Sequence, residues 1–369
     1  MEKRLTHQSR TGSVPVRSLQ KVVIVSILII GALLSASFFR PISKISDEPQ
    51  SKLEPEIPTV TLDSIFGEPN DLSLIDQNRL ITLVATGDVI PARGANWPAV
   101  TGGNFTYNWK KTAEFLGEGG IALINLEAPL MVGCPLKTEG MIFCGDARHI
   151  KGLVFAGIDA VSLANNHIDN YGLEGRNETI NLLEKNKIGW SGFGNLFIKE
   201  TKGIKFGFLA FNGIEATFDR QAIKTEIKKA RSGVDVLVVS VHWGDEYVLV
   251  PRSSGNVALD DPREIGHLII DSGADLVIGN HPHTVQGVEL YKNKLITYAH
   301  GNFIFDQTWS QETQEGVVGK YTFYEDKLVG VQFYPILVNV SYQPKFLSKK
   351  DGQHILDRML KSSKLISNN

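Results

Sequence analysis

The sequence predicts an α/β domain, on three observations. Apolar runs rich in β-branched residues alternate with helical stretches between about residues 80 and 340. These runs are apolar throughout, as strands covered on both faces are. Five short polar motifs each follow directly on such a run, the place where open α/β sheets collect their ligands.

Taken in order, residues 81–85 and 121–124 read as the first strands. Residues 158–163 read as the next, and 172–187 as a helix that stops at Gly189. A strand over 204–211 precedes a basic amphipathic helix over 218–230. Residues 234–241 form a strongly β-branched strand. Asp261-Pro262 then opens a helix, with a capping side chain and a proline in the first turn. Strands over 276–278 and 295–298 follow, with late strands inside 328–340. No internal repeat interrupts this 80–340 domain. The tail, 341–369, is polar and is expected to be peripheral. Residues 40–79 carry Pro41, Pro49, Pro55 and Pro58 with no sustained apolar period, and read mostly as a linker.

The N-terminus predicts a membrane location. Residues 22–39 hold 18 uncharged residues, at the short end of what crosses about 30 Å of hydrocarbon as a helix. Lys3, Arg4, Arg10, Arg17 and Lys21 precede them against the single acid Glu2, which leaves 1–21 as a basic cytoplasmic segment. The expectation is a single-pass cell-membrane protein with its main domain outside. A cleaved signal peptide competes, since Ser35-Ala36-Ser37 is a passable cleavage site, but the run exceeds the usual ~7–15-residue apolar region.

Composition narrows less. The 369 residues, 42% hydrophobic and 21% charged, suit one large globular domain or two ordinary ones. A net charge of -2 gives no sign of a nucleic-acid partner. The two cysteines, Cys134 and Cys144, would be buried thiols in the cytosol, whereas outside the membrane a short disulfide loop is the better reading.

The chemistry lies in the five motifs. Thr86-Gly87-Asp88 follows 81–85, and Asn125-Leu126-Glu127 follows 121–124. Asn165-Asn166-His167, His242-Trp243-Gly244 and Asn280-His281-Pro282-His283 close the runs at 160–164, 236–241 and 276–279. Asp88 and Glu127 supply hard anionic oxygens, Asn166 an amide oxygen, and His242, His281 and His283 imidazole nitrogens. On extended backbone His281 and His283 would face the same side. These six are candidate ligands for one or two divalent ions, which would sit about 3.5–4 Å apart if paired. His167 is placed to donate a proton to a leaving group. Arg93 offers a bidentate clamp for an anionic substrate, or a surface salt bridge. Each motif also has a plainer explanation as a turn or polar strand end.

The motifs resemble the capsule synthesis CapA (poly-gamma-glutamate biosynthesis) family, whose domain is similar to calcineurin-like metallophosphatases. The resemblance runs from about residue 81 to 305. Its most specific parts are Gly87-Asp88-Val89-Ile90-Pro91-Ala92-Arg93, Asn125-Leu126-Glu127, Leu163-Ala164-Asn165-Asn166-His167 and Gly279-Asn280-His281-Pro282-His283. Val241-His242-Trp243-Gly244 and Gly301-Asn302-Phe303-Ile304-Phe305-Asp306 extend it.

The resemblance implies a metallophosphatase-like four-layer α/β-β/α sandwich with a Mn, Zn or Fe site between the loops of the two sheets. It also implies work on an anionic capsular polymer or its precursor, beside other membrane capsule-synthesis proteins. Metal-dependent hydrolysis, a non-catalytic structural subunit, and a phosphoesterase for envelope phosphates are the three functions it leaves open. The phosphatase pattern opens with Asp-x-His, but Asp88 is followed by Val89-Ile90, so the first histidine ligand is absent. Glu127 replaces the second carboxylate of that pattern, which implies that one of two metals is weakly held or missing.

Overall fold

Strands wait on partners for their backbone groups, and here two sheets supply them. The computed structural model describes residues 56–118 and 120–367. The cytoplasmic and anchor segments expected over 1–21 and 22–39 lie outside the described residues, as does the start of the linker. Among the described residues no helix is long and apolar enough to cross a membrane.

The strands are β1 Leu80–Val89, β2 Ile121–Leu126, β3 Leu130–Met131, β4 Gly145–Asp146, β5 Ala160–Ser162 and β6 Gly189–Ser191. Then come β7 Phe197–Thr201, β8 Ile204–Asn212, β9 Val236–His242, β10 Leu276–Asn280, β11 Val288–Tyr291 and β12 Lys294–Thr297. The last are β13 Asn302–Ile304, β14 Glu315–Tyr324, β15 Lys327–Leu337 and β16 Lys345–Phe346. One sheet runs β16-β15-β14-β1-β2-β5-β6, with β13 paired to β1 beside that path. The other runs β11-β12-β10-β9-β8-β7. Both are mixed. The middle strands are parallel, while β14, β15 and β16 in the first and the outer strands β7 and β11 in the second are antiparallel.

Alternation along each strand explains the layers. Ile81, Leu83 and Ala85 of β1 join Phe206 and Phe208 of β8, Val236 and Val238 of β9 and Leu276 and Ile278 of β10 in a core between the sheets. Val84 of β1 points the other way, into a core with Leu153 and Leu183 from the helices Ile150–Phe155 and Gly172–Lys185. Leu237, Val239 and Val241 of β9 likewise face Ile223 and Ile227 of the helix Arg220–Arg231 and Ile265 and Ile269 of the helix Pro262–Ser272. Helices therefore flank both sheets on their outer faces. The Asp261 cap is present, its side chain accepting from the Arg263 N–H at 2.7 Å.

Two boundary expectations are corrected. Within the expected linker, residues 56–79 belong to the domain. The helix Leu62–Phe66 is closed by a capping box between Thr61 and Ser64, and Leu62, Ile65 and Phe66 pack against the inter-sheet core. Asn70 Nδ2 donates to the Val329 carbonyl at 2.8 Å. The expected peripheral tail is also integral. Its helix Lys349–Ser367 buries Ile355, Met359 and Ile366. Ser362 and Ser363 hydroxyl oxygens accept the Gly287 and Val288 N–H groups at 2.9 and 2.8 Å.

Ending the chain at Ser348 would remove three buried apolar side chains, whose burial is worth about 1.5–3 kcal/mol each, uncover the core they pack on, and orphan the Gly287 and Val288 N–H groups. Whole domains have only about 5–15 kcal/mol of stability. The truncated protein is expected to lack a cooperative thermal transition by circular dichroism. A melt within a few degrees of the full chain would contradict this placement.

Candidate metal centre

Strand register brings the polar side chains together. In the first sheet Asp88 on β1 lies opposite Asn125 on β2 and Asn302 on β13. In the second, His242 on β9 lies opposite Asn280 on β10. Gly87 is required because the backbones nearly touch: a Cβ there would stand 1.9 Å from the Gly301 carbonyl oxygen. The neighbouring Asp88 N–H donates to that same oxygen at 2.9 Å.

His281 and His283 do not sit on extended backbone, contrary to the sequence expectation. Their φ angles are 98° and 54°, a region that costs a non-glycine residue free energy and is concentrated at functional sites. The turn after β10, not strand alternation, brings their ring centroids to 5.7 Å. Tyr247, also at positive φ, holds this turn through its N–H to the Pro282 carbonyl at 2.9 Å.

Five of the six expected ligands form two overlapping groups. Glu127, His281 and His283 make one, and Asp88, Glu127 and His242 the other, with ligand atoms within 4.8 Å of one another in each. Glu127 belongs to both. Asn166, the sixth, places Oδ1 2.9 Å from His242 Nε2, which in turn is 3.4 Å from Glu127 Oε1. Two ligands each about 2.1 Å from one ion are at most about 4.2 Å apart, so the 2.9 and 3.4 Å separations suit a shared ion, and the widest in the two groups would need to close by up to about 0.6 Å.

Satisfaction of the polar atoms tests that fit. Both ring nitrogens of His281 are buried without a hydrogen-bond partner, and so is Glu127 Oε1. Buried polar atoms are rarely orphaned, and unpartnered atoms on two residues of one ligand group, Glu127 and His281, suit a cation better than a packed core. The remaining atoms are held for orientation. Asn125 Nδ2 donates to Asp88 Oδ1 at 2.9 Å and to Glu127 Oε2 at 3.3 Å. His283 Nδ1 meets Asp88 Oδ2 at 3.1 Å and Asn302 Oδ1 at 3.0 Å. Asn125 and Asn302 hold candidate ligands in place, a role the sequence left unassigned although both lie inside the quoted motifs.

The charges follow from burial. Glu127 is pushed well above the usual carboxylate range by burial and then by the Asp88 charge. Burial also raises Asp88, but the hydrogen bond and charge of His283 outweigh it and the net shift is downward. For His283 burial acts downward, yet the Glu127 and Asp88 carboxylates lift it to about 9. Burial pulls His242 down to about 3 and His281 well below its ordinary value, so both rings are neutral at pH 7. Neutral imidazoles are the form that binds metal.

His167 lies beside this cluster. Its ring centroid is 4.1 Å from that of Phe143, and Nδ1 is 3.0 Å from Asn170 Oδ1. That oxygen also accepts the Phe143 N–H at 2.6 Å, so it is an acceptor and Nδ1 carries the ring proton. Burial draws the His167 pKa to about 4. At neutral pH it is an uncharged ring with Nε2 unprotonated, a proton acceptor at rest.

Arg93 is neither a free clamp nor a surface salt bridge. Its guanidinium pairs with largely buried Asp306, donates to the Gly140 carbonyl and lies 4.8 Å over Phe143. Ile90, at the position of the histidine in the phosphatase Asp-x-His pattern, is packed with Ala92, Ala128, Phe143 and Phe305. Cys134 and Cys144 are disulfide-bonded with Cα atoms 5.8 Å apart.

With that geometry in view, the family profile described as bacterial capsule synthesis protein PGA_cap matches residues 82–307. Capsule biosynthesis protein CapA of Bacillus anthracis is 23% identical over 317 residues, 78% of this chain and 74% of that protein. PGA biosynthesis protein CapA of Bacillus subtilis (strain 168) is 26% identical over 190 residues, 46% of this chain and 48% of its own length. Among solved structures, a novel phosphatase from Mycoplasma pneumoniae shares 13% identity at a TM-score of 0.45, covering 70% of this chain and 94% of that one. So distant a structural likeness carries no argument about activity. The matched profile spans more than half of the 369 residues, including every ligand candidate, and the chain belongs to the bacterial capsule synthesis protein PGA_cap family.

Proposed function

We propose that this protein acts in the synthesis or export of an anionic capsular polymer of the poly-gamma-glutamate type, through a divalent-metal centre with hydrolase-like chemistry. One observation carries the reading: two ligand groups share Glu127, and buried atoms of Glu127 and His281 are left without hydrogen-bond partners. Asp88, Glu127, Asn166, His242, His281 and His283 would hold Mn, Zn or Fe, all of which accept mixed oxygen and imidazole donors. A bound divalent ion would supply Lewis-acid polarisation of a carbonyl or phosphoryl oxygen. Asn125 and Asn302 keep the carboxylates and His283 oriented, and His167 Nε2 accepts a proton from the attacking group and later returns it to the leaving one. The names of the relatives support the capsule assignment. The basic, apolar N-terminus supports anchoring of the domain outside the cell membrane, within reach of polymer and of other membrane capsule-synthesis proteins.

The apolar packing of Ile90 favours a second reading, a non-catalytic subunit that holds a capsule synthesis complex together. Elemental analysis of the full chain, purified in detergent from metal-replete medium, separates them. At least one equivalent of Mn, Zn or Fe is expected. A metal-free protein would leave the structural role, and a metalloprotein cleaving only simple phosphoesters would point to envelope phosphates instead.

A further inference from the structure

With Ile90 turned into an apolar cluster, the Asp88 side of the centre is one donor short of the metallophosphatase pattern. We propose that Glu246 supplies the missing donor, as a carboxylate ligand to the ion held by His283 and Glu127. This inference rests on the metal-centre reading above.

The argument begins with His283. Its Nδ1 faces two acceptors, Asp88 Oδ2 and Asn302 Oδ1, so Nδ1 carries the proton and Nε2 is left to coordinate. That nitrogen lies between two carboxylates. Glu127 Oε1 is 3.9 Å away and Glu246 Oε1 3.8 Å away, both inside the about 4.2 Å that two ligands of one ion can span. Glu246 stands outside both compact groups and meets the centre at this nitrogen.

The loop that carries Glu246 is built to aim it. Gly244 and Tyr247 have φ of 78° and 59°, and Tyr247 is tied at both ends. Its N–H donates to the Pro282 carbonyl, and its hydroxyl accepts from Gln307 Nε2 at 2.9 Å. The neighbouring Asp245 is turned away, accepting from Ser254 and facing Arg252. Among the described residues Glu246 pairs with no lysine or arginine. Its side chain is 33% exposed, and it adds a third carboxylate to those of Asp88 and Glu127, charge that a divalent cation would offset. Replacing an imidazole with a carboxylate also makes the donor set harder, which suits Mn(II).

The test compares full-length wild type, Glu246→Gln and Asp245→Asn, each stripped with chelator and titrated with Mn(II) by calorimetry. The Co(II)-loaded visible spectrum serves as a second readout. Glu246→Gln is expected to weaken Mn(II) binding at least about tenfold and to alter the Co(II) bands. Asp245→Asn, which removes the same charge one residue away, should change neither. Wild-type affinity and spectrum in Glu246→Gln, or an equal loss in Asp245→Asn, overturns the ligand assignment while the centre stands. Failure of wild type itself to take up Mn(II) or Co(II) removes the centre and this ligand together.

Discussion

Glu127→Gln is expected to abolish divalent-ion binding and, with chelator present, to raise the melting temperature. The two effects have one cause. Glu127 is the only residue shared by both ligand groups, so its loss removes an anionic donor from each. Losing even an outer-shell partner of a metal costs about 10–100-fold in affinity, and losing a shared ligand should exceed about 100-fold. In the metal-free fold the same carboxylate is a liability. Buried beside Asp88, its pKa stands well above that of an unfolded glutamate. A raised carboxylate pKa contributes stability at low pH that is lost as pH rises above about 4.3. Glutamine keeps an oxygen for Asn125 Nδ2 and removes that dependence. Calorimetric titration and paired melts with and without chelator measure both effects. A variant that binds metal as wild type does, or melts lower when stripped, contradicts the assignment.

The same charges make metal uptake a proton exchange. His283, near 9 without metal, must lose its Nε2 proton to coordinate, and raised Glu127 must ionise. Affinity is therefore expected to climb with pH towards about 9 and to fall in acid. Titrations in buffers of different ionisation enthalpy would report the released protons. A pH-independent affinity between pH 6 and 9 would contradict this charge arrangement.

The parts legible in the sequence were those where burial and chemistry leave a local trace. Val236, Val238 and the rest of β9 are apolar on both faces because sheets and helices cover both. Asp261-Pro262 announces its helix because capping is a contact over two residues. The candidate ligands were legible because Asp88, Glu127, His242 and His281 stand at or just past the end of a strand. What was hidden depends on distant partners. Ser362 and Ser363 look like solvent-facing residues, yet they are buried because Gly287 and Val288, some 75 positions away, need acceptors. The helix Leu62–Phe66 is too short for a period to show. Glu246 sits beyond its strand in a loop whose positive-φ turns aim it, and nothing in the residue order reveals that aim.

His167→Ala should separate chemistry from metal binding. The ring touches the cluster through its neighbour Asn166 and is seated against Phe143, but it stands in neither ligand group. Asn170 fixes its tautomer and leaves Nε2 free of any hydrogen bond among the described residues. On the proposed mechanism a residue placed this way would move protons without coordinating the ion. The variant is expected to retain wild-type metal content while its turnover of a γ-glutamyl or phosphoester substrate drops about 10²–10⁴-fold, the usual range for proton transfer. Asn170→Ala should give a smaller drop of the same kind, since it frees the ring to change tautomer without removing it. Metal content and turnover are measured on the same preparations. If His167→Ala loses its ion, the histidine is a ligand after all. If it keeps both ion and turnover, the proton moves by another route and the neutral ring at this position is structural.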